Sequence, residues 1–247
     1  MKNFKWQLAA GAALVATSAL LYLAHYAIFG DYYHIFIYFL TDIAFLPLEV
    51  LIVTVIIEKF LSVREAKERL EKLNMVIGVF FSEMGTHLLV RFSSHDRNIE
   101  QIRKELVLNP HGTDEEFHAV ARRIMTYEYD VDISMSDLKG LKAFLAAKRD
   151  FMVRMLENPS LLEHESFTDL LFAVFHLVEE LEHRDDLMRL PDPDVMHLRG
   201  DSKRAYAALM KEWLTYMKHL KGSYPYLFSL AIRTNPFDKD ARAEVRE

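Results

Sequence analysis

Two long apolar runs open the chain. Residues 6–29 contain no Asp, Glu, Lys or Arg, and residues 35–57 are apolar apart from two acids. A helix needs about 20 residues to cross the hydrocarbon core of a bilayer. Because only the segment GDYYH separates the runs, they are predicted to form an antiparallel transmembrane hairpin within residues 1–58.

A cleaved signal peptide is the competing interpretation of the first run, because Lys2 and Lys5 precede it. Signal peptides have apolar regions of about 7–15 residues that end at a small-x-small cleavage site. The run here is longer and no such site ends it. We therefore expect it to be a retained membrane span, with Trp6 as an interfacial anchor.

Basic residues flank the hairpin on both outer sides, whereas the connecting turn has Asp31 and no Lys or Arg. Lys59, Arg64, Lys67, Arg69 and Lys72 follow the second run. The positive-inside rule predicts that both termini are cytoplasmic. The turn is too short for a ligand-sensing domain or for a potassium-channel filter loop.

Asp42 and Glu49 interrupt the second run. They are seven positions apart and share a helix face, about 10 Å apart along the axis. Insertion of each acid near the centre of a span costs about 2.5–3.5 kcal/mol. Thr41 adjoins Asp42, and Pro47 between the acids frees a backbone carbonyl. The acids are protonated, bonded to another subunit, or arranged around a wet pore that attracts cations. A purely structural role in packing a homo-oligomer is the alternative.

Residues 59–92 lack proline and are predicted to continue the second span as a helical stalk. Apolar residues recur there at spacings of three and four, which is typical of a coiled-coil-like or bundle seam. This seam comprises Leu70, Leu73, Ile77, Phe80, Met84 and Leu88. We expect it to pack against the soluble domain or against a second copy, which predicts a homo-oligomer.

Helical patterns fill residues 93–237. Segments 134–158, 166–187 and 201–222 have helical apolar spacing, Thr113 and Glu116 have capping-box spacing, and Pro191 and Pro193 mark a break. The predicted fold is all-α, with a cytoplasmic bundle of five or six helices. Residues 238–247 are predicted to form a charged, flexible tail.

Composition removes several classes of function. The net charge of −6 provides no basic field for nucleic acid. The absence of cysteine excludes disulfides, thiolate metal sites and cysteine nucleophiles. The sequence has no phosphate-binding glycine motif and no G-x-S-x-G motif, and no catalytic residue is predicted.

Histidines and acids suggest one metal hypothesis. Glu115/His118 and Glu180/His183 have the Glu-x-x-His spacing of di-iron bundles, and His176 lies one turn before Glu180. These residues lie opposite the apolar stripes of their helices, which is more typical of a solvated face. No cofactor is therefore predicted, and a divalent metal stays an alternative.

The segments FLTDIAFLPLEVLIVTVIIEKF, LEKLNMVIGVFFSEMGT and YPYLFSLAIRTNPF resemble uncharacterised prokaryotic two-span membrane proteins of unknown function. The resemblance implies a bacterial or archaeal inner membrane and brings no catalytic residue. The leading hypothesis is an oligomeric cation-channel-like or ion-responsive assembly that the cytoplasmic domain gates. A membrane-tethered scaffold or signalling adaptor is the second hypothesis, and a metal-dependent helical-bundle enzyme is the third.

Overall fold

A computed structural model describes residues 2–162 and 164–245, with side chains for residues 6–159, 161 and 164–245. The described chain is all-α, as predicted, and its only extended pairing is an isolated bridge between Asp96 and Val131. The α-helices are α1 Lys2–Phe29, α2 Tyr32–Phe80, α3 Thr86–Ser94, α4 Arg103–Leu106, α5 Asp114–Met125, α6 Met135–Leu156, α7 Pro159–Leu162, α8 Glu165–Glu182, α9 Asp192–Ser223 and α10 Pro225–Arg233. Short 3₁₀ turns cover Ile99–Gln101 and Leu187–Arg189, and Phe81–Gly85 is a π-helix.

The first of two compact units ends at Ala66 and contains α1 and the first part of α2. Gly30 joins the helices in the left-handed region, at φ +64°, which glycine adopts without strain. Asp31 Oδ1 then accepts hydrogen bonds from the backbone N–H groups of Tyr33 and His34, at 2.9 and 3.2 Å. Because this cap starts α2 at Tyr32, the turn is shorter than the predicted 30–34.

Both helices of this unit are long and apolar enough to cross a membrane, by length and composition alone. The most apolar 18-residue window of each helix contains no buried residue. The described chain therefore leaves this apolar surface uncovered. Pro47 lies inside α2, a helix of 49 residues that begins at Tyr32 and ends at Phe80.

The second unit begins at Lys67 and holds the hydrophobic core. Five of the six residues predicted as an oligomer seam are buried in that core, and only Leu70, at 49% exposed, is accessible. The buried residues are Leu73, Ile77, Phe80, Met84 and Leu88. The buried members therefore pack within the core of the second unit. Packing of the seam against a second copy stays a prediction.

The π-helix Phe81–Gly85 directly follows α2 and contributes Phe81 and Met84 to the core. The N–H of Thr86 bonds to the carbonyl of Phe81, five residues earlier. Gly85 lies against two buried rings, because a Cβ there would be 2.6 Å from the Phe81 ring and 2.9 Å from the Phe80 ring. Glycine is therefore the residue that lets both phenylalanines pack at this turn.

Helix α9 is the central element of the unit and packs against α3, α5, α8 and α10. It begins at Asp192, with Pro191 as its cap and Pro193 in its first turn. The predicted break before this helix is present, since α8 ends at Glu182 and α9 begins after Pro191. The predicted start of the helix at residue 201 is wrong, because α9 begins nine residues earlier. A first-turn proline is well placed in a helix because its missing N–H has no partner to lose.

Candidate metal centre

Polar side chains meet along one seam between α8 and α9. Arg184 pairs with Asp194, and one turn further along lie Glu180 and His197. The next turn brings His176 to Asp201. Residue numbers rise along α9 as they fall along α8, so the two helices form an antiparallel hairpin. Helical spacing on each side thus aligns the side chains in a single row.

Four of these side chains, His176, Glu180, His197 and Asp201, form a compact group that we name the metal cluster. One ligand atom from each residue lies within 4.8 Å of the others. The Nε2 atom of His197 is 3.3 Å from Asp201 Oδ2 and 3.5 Å from Glu180 Oε2. The Nε2 atom of His176 is 3.6 Å from Asp201 Oδ2 and 3.7 Å from Glu180 Oε1.

The cluster has a buried floor and an accessible mouth. The side chain of Asp201 is 2% exposed, whereas those of His176 and His197 are 44% and 52% exposed. Within the described part of the chain, Asp201 Oδ2 is buried and accepts no hydrogen bond. A buried carboxylate oxygen without such a bond destabilises the folded state, because the hydrogen bonds to water that it loses are not replaced.

Two arginines hold the carboxylates from outside the cluster. Arg184 donates to Glu180 Oε2 at 2.7 Å and to both oxygens of Asp194, at 2.7 and 2.5 Å. Arg204 donates to Asp201 Oδ1 at 2.9 Å, which leaves Oδ2 directed to the histidines. The hydrogen bond from Arg184 lowers the pKa of Glu180, against a smaller desolvation effect. Glu180 is therefore held ionised, as a metal ligand must be.

The nitrogen–oxygen contacts of the cluster are near the ligand spacing of a four-coordinate ion, with the two histidines facing different oxygens of Glu180 and the four ligand atoms within 4.8 Å of one another. Zinc binds imidazole nitrogen and carboxylate oxygen at about 2.0–2.2 Å, so ligand atoms of a tetrahedral site are about 3.3–3.6 Å apart. The four nitrogen–oxygen distances in the cluster run from 3.3 to 3.7 Å. Two imidazoles with two carboxylates form a donor set that suits zinc, iron or manganese.

The same contacts also describe ion pairs between protonated histidines and carboxylates. Exposed ion pairs contribute only about 0–1 kcal/mol. That account explains the proximity of the four residues but leaves Asp201 Oδ2 without a hydrogen bond. An ion bound between the two imidazoles would satisfy this oxygen directly.

The cluster shares only part of the metal set predicted from the sequence. His176 and Glu180 belong to it, whereas His183, Glu115 and His118 do not. The Nδ1 atom of His183 lies 2.7 Å from the Glu179 carbonyl. Glu115 and His118 lie on α5, where His118 Nε2 is 3.3 Å from the Lys218 amine. The two Glu-x-x-His pairs are therefore not brought together.

His197 and Asp201 were missed as a pair because the predicted helix began only at residue 201, which left His197 outside it. Their spacing of four places both on one face of a helix. This His-x-x-x-Asp pattern repeats the His-x-x-x-Glu pattern of His176 and Glu180. If both segments are read as helices, this repeat predicts that each helix presents one histidine and one acid on the same face, as in the cluster.

A serine–histidine–aspartate contact elsewhere has a different role. Ser94 Oγ is 3.1 Å from His95 Nδ1, and Asp137 is 3.0 Å from His95 Nε2. His95 Nδ1 also lies 2.8 Å from the Arg91 carbonyl, to which Ser94 donates at 2.7 Å. Because a carbonyl only accepts, His95 Nδ1 carries a proton and cannot take one from Ser94.

The polar residues of the apolar hairpin lie on exposed helix surface. Asp42 lines a cavity of about 430 Å³ with His25 and Tyr38, whereas Glu49 is not part of it. The Thr41 hydroxyl donates to the Ile37 carbonyl at 2.9 Å. Within the described residues, Asp42 and Glu49 have no salt-bridge partner inside the chain.

Comparison with known proteins gives a family and no activity. The family descriptions "Uncharacterized protein MJ1433, C-terminal helical domain" and "MJ1433, N-terminal helical domain" match residues 69–233 and 2–61. The uncharacterised protein MJ1433 of Methanocaldococcus jannaschii is 45% identical over 238 residues, which cover 96% of each chain. No solved structure matches the chain.

Proposed function

Because the chain belongs to the MJ1433 family of uncharacterised helical proteins, whose description names no activity, we propose its function from the metal cluster. It is a membrane-anchored protein whose C-terminal helical domain binds one divalent transition-metal ion, with zinc preferred. The ion lies between α8 and α9, held by His176, Glu180, His197 and Asp201.

The buried Oδ2 atom of Asp201 is the single observation that carries this proposal. It accepts no hydrogen bond from the described residues, yet two imidazole nitrogens lie within 3.6 Å. Arg204 engages the other oxygen of the carboxylate. The carboxylate is therefore fixed in place with one atom free to bind a cation.

Four protein ligands favour a structural or regulatory ion. A tetrahedral zinc ion with four protein ligands has no open position for a substrate, whereas catalytic zinc keeps one for water. In this role the ion joins α8 to α9 and stabilises the folded domain. At a zinc concentration 100 times the Kd, the gain is about 2.7 kcal/mol.

The membrane anchor is the second part of the proposal. The apolar windows of α1 and α2 contain no buried residue, so the described residues provide no cover for them. Basic residues on both outer flanks favour cytoplasmic termini in a prokaryotic inner membrane. The metal-binding domain is then cytoplasmic, and the lipid bilayer is a direct partner.

Zinc titration of the purified full-length protein by calorimetry tests the metal proposal. We expect one ion per chain in the wild type and loss of that binding in Asp201→Asn and His197→Gln. His183→Gln is the matched control, because His183 lies on α8 outside the cluster. Equal zinc binding by all four proteins would place the ion elsewhere and refute the assignment.

An oligomeric, channel-like assembly is the second candidate function. The exposed Asp42 and Glu49 and their lack of a salt bridge within the described hairpin favour it, because other copies can then supply partners or a wet axis. Native mass spectrometry in nanodiscs measures the copy number, and four or more copies are expected. Asp42→Asn and Glu49→Gln should then reduce cation flux with assembly intact. Disassembly of these variants would instead favour a scaffold or signalling adaptor.

A further inference from the structure

A second site lies in the bundle, apart from the metal cluster. The last turns of α2, the π-helix, α9 and α10 enclose a groove with a volume of about 520 Å³. This volume is in the range of pockets that bind small molecules, about 300–1,000 Å³. We name it the α10 groove.

The α10 groove is lined without a single charged side chain. Its sixteen lining residues include no Asp, Glu, Lys or Arg, although these types make up 27% of the chain. Apolar side chains such as Val79, Leu227 and Leu230 form much of its wall. A charged ligand would lose its hydration here without gaining an ionic partner from the wall. The groove therefore selects uncharged, largely apolar molecules.

His219 is one of eight polar residues in the lining of the groove, and it differs from the others in its ring nitrogen. Its Nε2 atom is buried and, within the described chain, has no hydrogen-bond partner. Burial lowers the pKa of His219, which outweighs the opposing charge of Glu71. The neutral ring can donate or accept one hydrogen bond, according to which nitrogen carries the proton.

Gly78 and Tyr216 pack closely at one wall of the groove. At Gly78, a Cβ would lie 2.9 Å from the Tyr216 hydroxyl, so glycine lets Tyr216 lie flat against the helix. The Tyr216 ring stacks on Phe81, at 5.3 Å and 11° between ring planes. Phe81 begins the π-helix, and such turns are frequent at functional sites.

We infer that the α10 groove binds an uncharged amphiphile with an apolar body and one hydrogen-bonding head group, such as a long-chain alcohol. The apolar body lies against the walls from α2 and α10, and the head group bonds to His219 Nε2. This site is independent of the metal cluster and does not require an ion.

Native mass spectrometry of the full-length protein in nanodiscs tests the inference. The probes are hexadecanol and hexadecanoate, which share a chain length and differ in head-group charge at pH 8. We expect a one-to-one hexadecanol adduct and at least tenfold weaker binding of hexadecanoate. His219→Phe should weaken hexadecanol binding about tenfold, because it removes one hydrogen bond.

Two further variants separate the groove from general lipid contact. Leu230→Trp should fill the groove and abolish the adduct, and Leu230 is 45% exposed, so the core stays intact. Met196→Trp is the matched control on an exposed residue outside the groove and should bind normally. Equal binding of the two probes would overturn the selection for an uncharged head group. An adduct retained in Leu230→Trp, or the absence of any adduct, would overturn the site itself.

Discussion

Asp201 is the buried residue of the metal cluster and contacts the two exposed histidines. Arg204 holds one oxygen at 2.9 Å, and the other points between two imidazoles. A carboxamide at this position keeps the shape but lacks the charge that attracts a cation. The residue therefore distinguishes a metal site from a group of ion pairs.

We predict that zinc raises the unfolding temperature of the wild type by about 5 °C or more at 100 times the Kd, since about 2.7 kcal/mol is gained. Asp201→Asn should lose this increase. Asp192→Asn, an exposed aspartate at the start of the same helix, should retain it. Differential scanning fluorimetry with and without zinc measures the shift, and an increase preserved in Asp201→Asn would contradict the role of Oδ2.

His219 predicts a dependence of stability on pH. Because burial lowers its pKa below the ordinary 6.5, the folded state binds fewer protons there than the unfolded state. Its contribution to stability is present above about pH 6.5 and is lost as the pH falls below it. Between pH 7.5 and 5.5, unfolding temperature should fall less in His219→Phe than in the wild type.

The exposed His111 provides the control for that measurement. His111→Phe should follow the pH dependence of the wild type. Parallel curves for all three proteins would show that His219 does not titrate differently on unfolding.

Single residues were only partly predictable from the sequence. His176 and Glu180 stood out by their spacing, but the pattern alone placed them on a solvated face. His176 is in fact 44% exposed, but the apolar stripe of α8 does not show that α9 brings His197 and Asp201 to the same flank. Asp201 was assigned to a helix start, where its burial at 2% exposed was unforeseeable.

At the scale of elements, the π-helix at Phe81–Gly85 depends on its glycine. Gly85→Ala should destabilise the protein by about 1–3 kcal/mol, because the Phe80 and Phe81 rings are buried and cannot move away. Gly200→Ala in α9 is the control, since a Cβ there has nothing within 4 Å. It should stabilise the helix by up to about 1 kcal/mol. Urea unfolding of both variants measures the difference, and equal effects would contradict the packing argument.

The sequence predicted helices more reliably than their ends. Thr113 caps α5 through the Glu116 N–H, as its spacing indicated. The start of α9 was misplaced, because a proline is read as a helix breaker unless its position in the first turn is known. The error removed the first turns of α9 from the prediction, and with them His197 of the metal cluster.

At the scale of the whole molecule, the proposed topology has a direct test, because the chain contains no cysteine. Tyr33→Cys lies at the start of α2 and His111→Cys lies in the second unit. The cells are first freed of their outer envelope layers, and the inner membrane is left intact. A membrane-impermeant maleimide should then label Tyr33→Cys alone. His111→Cys should react only after lysis. The reverse pattern would invert the topology, and labelling of both would refute the membrane anchor.

The periodicity of apolar residues does not predict whether copies of the chain associate. The spacing of Leu73, Ile77 and Phe80 is the same whether a helix packs in its own bundle or against a second chain. Their burial within the chain leaves Leu70 as the exposed member of this seam, whereas the apolar surface of the hairpin is exposed along its length. Any oligomer is therefore expected to form through the hairpin, where Asp42 and Glu49 lie.

X-ray absorption spectroscopy of the zinc-loaded, full-length protein tests the central claim most directly. We predict four nitrogen or oxygen ligands at about 2.0–2.2 Å, including two imidazoles. The imidazole signal should disappear in the double variant His176→Gln/His197→Gln and persist in His183→Gln. A six-coordinate, oxygen-only spectrum, or one that the double variant leaves unchanged, would contradict a zinc ion held between α8 and α9.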